Sequence, residues 1–325
     1  MGIQFLNRFL KENAPNSIKL TSISDLSGKK IAIDISIYMY KYASENNLIE
    51  NMYLMLSIFR HYNITPIFVF DGKPPTEKKE LLKKRREDKD SAQEEYNNLK
   101  TKLDNHDIDY NEKLDILNNM DILKKKFVHI CKNDIENIKK LIRAYGATYY
   151  DAPGEADELC AMLTIKGKVW GCLSEDMDMF VYGCTRVIRY FSLLNHTIVL
   201  YEMKGILEEL GITQKELREI CVLTGTDYNI NNKSQTLYTT LKWFKKFLKE
   251  KKKYYENNLG FYDWLIKKYD NIKDIVLLQK IYNMFDLSNN YHIKNFEDIK
   301  IKNGPIQKEE LMVILKTDGF IFPQK

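Results

Sequence analysis

Apolar residues recur along this chain in two rhythms. Residues 30–35 (KIAIDI) and 64–70 (ITPIFVF) are nearly continuous apolar runs, while Met52, Met55, Leu56 and Phe59 between them repeat at helical spacing. Strand, helix and strand of this kind predict a parallel sheet covered on both faces. Phe5, Phe9 and Leu10 predict a short helix ahead of it. From Lys73 to about Lys126 charge becomes dense and of mixed sign, and large apolar residues thin out. A solvated helical insertion is expected there. The core pattern then resumes. Ile135, Ile138, Leu141 and Ile142 make one helix face, stopped by Gly146. A short strand over 147–150 leads to DAPGEADELCAML (151–163), helical in its second half, and KVWGCLS (168–174) reads as another buried strand. Two β-like runs follow at 185–191 and 197–201, and from Ile212 the pattern is mostly helical, ending in a polar, Asn-rich part. The economical reading is one α/β core over 1–230 with a helical insertion over 73–126, followed by a helical region over 231–325.

Composition narrows the function classes. The 325 residues carry a net charge of +5, which is compatible with binding phosphate backbones without requiring it. The five cysteines are scattered with no CxxC pair, and the five histidines form no HExxH or His–Cys cluster. Buried free thiols in a reducing compartment are expected, not a disulfide framework or a zinc site. No apolar run approaches the roughly 18 residues of a membrane span. The start, MGIQFLNRFL, has no basic signal-peptide region, and Leu6 breaks the myristoylation pattern. An intracellular protein with no membrane association is expected.

Candidate chemistry lies where the apolar strands stop. Asp34 closes the first and Asp71 follows the second; Glu155 and Asp157 open a helix after a strand; Asp176 and Asp178 follow KVWGCLS; Asp227 follows ICVLTG. In an open parallel sheet the carboxyl ends of the strands share one edge, so these acids can converge. Asp176 and Asp178 fall on one side if extended. Glu155 and Asp157 point apart inside a helix and converge only if Glu155 sits at its start, which Pro153-Gly154 favours. Any one Asp after a strand is more often a turn or cap residue. Seven together point to a shared cation site, because packed carboxylates repel unless cations intervene. Oxygen donors with few histidines favour Mg²⁺, with Mn²⁺ as substitute. Two such ions roughly 3.5–4 Å apart suit phosphodiester hydrolysis.

The segments MGIQ, AIDIS, FVFDGKPP, DAPGEADELCA, SEDMD and LTGTDY occur in this order between residue 1 and about 230. Together they resemble the flap endonuclease branch of the XPG-type 5′ nucleases. The resemblance implies a PIN-like α/β nuclease domain with a helical arch after Asp71, and a structure-specific endonuclease and 5′–3′ exonuclease acting on branched, flapped or nicked DNA. It implies that Asp34, Asp71, Glu155, Asp157, Asp176, Asp178 and Asp227 hold two metal ions, partly through water. Many cellular relatives carry Glu where Asp157 stands, a shorter side chain that shifts a water or a metal slightly. Lys78 and Arg85 fall where the family places its basic catalytic pair, seven residues apart and on one helix face. Lys79, Lys83, Lys84 and Arg86 become supporting phosphate contacts. On composition alone this stretch reads first as a solvated helix whose cations pair with Glu77, Glu80, Glu87 and Asp88, and the resemblance reverses that reading. Tyr40 matches the aromatic on which a base beside the cut stacks; without the resemblance it is an ordinary helix-face aromatic. Gly2 matches a processed N-terminus close to the metals.

The pattern also departs from the family. After the last acid the family carries a GIGxxxA helix–turn–helix hairpin that grips duplex phosphates with K⁺. Here NINNKSQTLYTTLKWF holds no glycine, and glycine permits close backbone approach, so the K⁺ grip is not expected. Lys242, Lys245, Lys246 and Lys249 offer direct phosphate contact instead, or simply a solvated helix. No Q-x-x-L-x-x-F-F sequence is present, so no sliding-clamp contact is expected. A monomer working in the nucleus or at a cytoplasmic site of DNA replication is the expectation. A junction- or RNA-directed nuclease and a non-catalytic nucleic-acid scaffold stay open as alternatives.

Overall fold

The computed structural model describes residues 3–103, 110–229, 236–254, 260–269, 274–289 and 298–321. Among the described residues seven strands form one sheet: β1 (Ile18–Ser22), β2 (Lys30–Asp34), β3 (Thr65–Phe70), β4 (Thr148–Asp151), β5 (Gly171–Leu173), β6 (Arg186–Arg189) and β7 (Thr197–Glu202). Their spatial order is β1-β7-β6-β5-β2-β3-β4. The run from β6 to β4 is parallel throughout. β7 runs antiparallel to β6, and β1 antiparallel to β7.

The sheet is covered on both faces, as its unbroken apolar strands demand. Ile31, Ile33, Phe68 and Phe70 point to one side, where α2 (Ile35–Ser44), α3 (Leu48–His61) and α6 (Lys132–Ala144) pack. Ala32, Ile67, Val69 and Cys172 point to the other, against α1 (Leu6–Asn13), α7 (Ala156–Ile165), α8 (Asp178–Tyr182), α9 (Met203–Leu210) and α10 (Gln214–Thr224). Four of the cysteines are buried and all five are free, as their scatter suggested.

The insertion between β3 and α6 is a pair of helices, α4 (Lys79–Leu103) and α5 (Tyr110–Lys126). It is not wholly solvated. Ala92, Ile116, Met120 and Leu123 are buried, and Tyr96 meets Phe127 with ring centres 5.3 Å apart. Beyond α10 come α11 (Leu237–Tyr254), α12 (Phe261–Lys268) and α13 (Ile275–Phe285), which join the second core through Phe244, Phe247, Phe261, Trp264 and Phe285.

The last described segment returns to the first half of the chain. Gly304 N–H donates to the Gly146 carbonyl and Gln307 N–H to that of Ala144, both at 2.7 Å. The Arg60 guanidinium ties both sides together by donating to the carbonyls of Tyr145 and Gly304. α14 (Lys308–Thr317) then packs Leu315 into the core beside Ile138, Leu141 and Ile142. Gly146 is required at this crossing: its φ is +77°, and a Cβ there would lie 2.4 Å from the Gly304 carbonyl oxygen.

Candidate active site

The carboxyl edge of the parallel strands gathers the predicted acids. Asp34 ends β2, and Asp71 follows β3. Glu155 occupies the N-cap position of α7 and Asp157 lies in its first turn, the arrangement that convergence required. The cap itself is supplied from elsewhere. Asp71 Oδ1 accepts the Ala156 N–H at 2.9 Å, so the acid after β3 anchors the helix that carries two others. Asp176 lies in the loop after β5 and Asp178 opens α8, with the Asp178 N–H donating to Asp176 Oδ1 at 3.0 Å. Ser174 Oγ donates to Asp34 Oδ2 and accepts from the Asp176 N–H, both at 3.1 Å.

Two loops must nearly touch for this edge to close. Gly72 N–H donates to the Gly154 carbonyl at 2.7 Å, and a Cβ on Gly72 would fall 2.0 Å from the Ala152 carbonyl oxygen. The DGKPP and DAPG motifs therefore meet backbone to backbone, with no room for a side chain.

Asp34, Asp176, Asp178 and Asp227 are buried. Burial, followed by the charges of Asp71 and Asp176, pushes the Asp34 carboxyl up to about 7. Asp157 is held well above the usual carboxylate range by burial and then by Asp34 and Asp176, and Asp178 by burial and then by Asp176 and Asp227. Asp176 is raised by burial, with Asp227 adding to it. Oδ1 of Asp157 and Oδ1 of Asp178 are buried with no hydrogen-bond partner. Orphaned carboxylate oxygens among mutually repelling acids are costly. A hard divalent cation relieves both costs, so this donor set fits Mg²⁺ or Mn²⁺. Among the described residues no three acidic, His or Cys side chains yet stand in ligating geometry around one point.

Cations from the insertion occupy part of the space between the acids. Lys78 lies in the 3-10 turn Thr76–Lys78, just ahead of α4 and not within it. Its Nζ is ion-paired to Glu155 Oε1 and lies 3.8 Å from Asp227 Oδ2. Burial works to lower the pKa of this ammonium, but Glu155 and then Asp227 outweigh it and hold the pKa above its usual value. Arg85 Nη2 donates to Asp227 Oδ2 at 2.9 Å. Lys79, Lys83, Lys84 and Arg86 are exposed on α4, and Lys83 forms a local pair of the kind composition suggested, 3.8 Å from Glu87.

The remaining candidates separate. Tyr40 is 45% exposed on α2 with the Lys89 ammonium 4.9 Å from its ring centre, whereas Tyr38 is buried in the core. Lys242, Lys245, Lys246 and Lys249 are exposed along one face of α11, while Phe244 and Phe247 turn inward. Gly2 and residues 230–235 of the glycine-free stretch lie outside the described residues. One hydrogen bond was missed from sequence: the Tyr228 hydroxyl donates to Glu155 Oε2. Its advance signal was its place next to Asp227, at the end of the LTGTDY segment.

Comparison with known proteins agrees with this geometry. The XPG N-terminal domain matches residues 1–92, and the XPG I-region matches residues 146–227. Flap endonuclease 1 of Methanococcus aeolicus is 32% identical over 246 residues, covering 71% of this chain and 70% of that protein. The chain belongs to the flap endonuclease family. A second flap endonuclease 1, from Glycine max, is 33% identical over 249 residues, and the match spans 70% of this chain but 62% of the plant protein's length. The family fold extends over nearly the whole chain. Flap endonuclease-1 from Methanococcus jannaschii superposes with a TM-score of 0.63 at 24% identity, over 98% of this chain and 93% of that one. The catalytic core of Rad2 in complex with DNA substrate gives 0.65 at 19% identity, over 97% and 95%. The Holliday junction-resolving enzyme GEN1, in complex with product DNA and Mg²⁺ ion, gives 0.58 at 16% identity, over 95% and 72%. No described helix is long and apolar enough to cross a membrane.

Proposed function

We propose that this chain is a structure-specific nuclease that hydrolyses DNA phosphodiesters near a single-strand–duplex junction, using divalent metal ions. The observation that carries the reading is the buried acid cluster with unpartnered Asp157 and Asp178 oxygens, faced by Lys78 and Arg85 from the insertion. Asp34, Asp71, Glu155, Asp157, Asp176, Asp178 and Asp227 would hold two Mg²⁺ ions, with Mn²⁺ as a substitute. When bound, such ions lower the pKa of water and offset charge on the leaving oxygen. The chain's own residues supply the rest. Lys78 and Arg85 clamp the scissile phosphate, where fixed cations offset developing charge. Tyr40, on α2 beside Lys89 of α4, stacks a base beside the cut, worth about 1–3 kcal/mol per base. The exposed α11 lysines follow the duplex backbone without K⁺. The DNA-bound Rad2 core and the Mg²⁺-bound GEN1 complex support the substrate class and the ion.

The test is incubation with Mg²⁺ and labelled 5′-flap, nicked, four-way and RNA-containing substrates, with and without K⁺. Cleavage next to the junction that EDTA and Asp178→Ala both abolish is the expected result. A blank on every substrate beside an active relative would reject the proposal.

A further inference from the structure

Beyond the seven acids and the two cations, the buried side chain of Tyr228 reaches into the site with no role yet assigned. We propose that Tyr228 is a positioning residue, whose hydroxyl fixes how the Glu155 carboxylate faces the metal site; this rests on the metal-dependent reading above. Glu155 holds the N-cap position of α7 but its side chain makes no cap hydrogen bond, and Asp71 takes the first helical amide, that of Ala156. Its side chain is therefore free to be aimed from outside its own helix. Two groups do so: Lys78 on Oε1 and Tyr228 on Oε2.

Tyr228 is itself rigidly held. Its N–H donates to Thr226 Oγ1 at 3.2 Å, and the Thr226 N–H donates to Asn229 Oδ1 at 2.6 Å. Asn229 Nδ2 then donates to the Val222 carbonyl at 2.8 Å, which closes the turn onto the end of α10. Lys78 Nζ lies 5.9 Å from the centre of the Tyr228 ring, and Phe285 of α13 packs against the ring at 5.4 Å. The ring is 8% exposed, and its hydroxyl lies 3.4 Å from that of Tyr182. Asp227 and Tyr228 thus come from one short turn, the first carrying a carboxylate and the second orienting another. A cavity of about 350 Å³ opens beside Glu155, Tyr182 and Tyr228, between the foot of the insertion and α13. It gives the carboxylate somewhere to swing once the hydroxyl is removed. Donors that orient a metal-ligating carboxylate from behind are worth about 10- to 100-fold in metal affinity or activity. Phe285 lies outside the matched family domains, which end at residue 227.

The test uses the full chain with Tyr228→Phe, which keeps the ring packing and deletes one hydroxyl. Mn²⁺ binding is measured by calorimetry without DNA, alongside the Mg²⁺ dependence of flap cleavage. Mn²⁺ affinity is expected to fall about 10- to 100-fold, with half-saturating Mg²⁺ shifted upward to match, while the metal-free melting temperature stays within a few degrees. A Glu155→Gln background separates positioning from packing. If Tyr228 acts through Glu155, adding Tyr228→Phe to Glu155→Gln weakens Mn²⁺ binding no further. Unchanged Mn²⁺ affinity in Tyr228→Phe, or full additivity with Glu155→Gln, overturns the proposal. Wild-type protein that binds Mn²⁺ and cuts no DNA sinks the nuclease reading, and Tyr228 is then judged on binding alone. Wild-type protein that binds no Mn²⁺ overturns both.

Discussion

Substituting Asp34 by Asn removes one charge from the buried acid cluster and nearly preserves its shape. Burial, then Asp71 and Asp176, pushes this carboxyl from the ordinary 3.8 up to about 7 in the metal-free protein. A raised carboxyl keeps its proton in the folded state at a pH where the unfolded chain has already released it. Its stabilising contribution is whole below about pH 4, declines as pH rises, and is fully lost once pH passes about 7. At about 1.36 kcal/mol per unit, the whole span is worth about 4 kcal/mol. About 2–3 kcal/mol of that falls between pH 5 and pH 8. Urea denaturation in EDTA reads it directly when wild type and Asp34→Asn are compared at both pH values. The stability difference between the proteins is expected to move by about 2–3 kcal/mol in favour of the variant on going to pH 8. Adding Mn²⁺ should stabilise wild type strongly at pH 8, and the variant less, because a bound ion counts only through its affinity for the folded state. Parallel pH profiles for the two proteins in EDTA would refute the reasoning, since Asp34 would then be neither desolvated nor pressed by Asp71 and Asp176.

Three further outcomes follow from the geometry. Lys78→Ala should lower kcat on a flap substrate by about 10²- to 10³-fold, the usual loss for a fixed donor at developing charge. It should also tighten Mn²⁺ binding in the absence of DNA, because the ammonium now paired with Glu155 competes with the ion; calorimetry showing weaker binding would contradict this. Replacing Lys242, Lys245, Lys246 and Lys249 together by Glu should weaken duplex binding and flatten its salt dependence, by about 0.9 in log–log slope for each phosphate the helix no longer neutralises. A titration with unchanged slope would make α11 a solvated helix. Gly146→Ala should destabilise the fold by about 1–3 kcal/mol through strain at positive φ, with the clash against Gly304 adding to it; a thermal melt matching wild type would show that the crossing can shift.

The parts of the molecule legible in its sequence are those whose signal is local. Asp34 and Asp71 could be placed because apolar runs mark where β2 and β3 stop, and Glu155 because Pro153-Gly154 forces a helix to begin there. β1 gave no such signal: it is an edge strand with Lys19 and Leu20 both exposed, so no buried face imposes an alternation. α8 is apolar on every side because it is buried on every side, and five residues of that kind carry no period. The interactions that aim the site are the least local of all. The Lys78 pairs reach Glu155 and Asp227, and Tyr228 reaches Glu155 across 73 residues. Composition favoured pairing among neighbours, with Glu77, Glu80, Glu87 and Asp88 all close at hand. Burial decides between the two. An exposed pair such as Lys83–Glu87 gains at most about 1 kcal/mol, whereas a buried acid left without a partner costs several kcal/mol. Lys78 and Arg85 therefore belong to the acids at the sheet edge, and the local charge pattern is left to pair among itself or to face solvent.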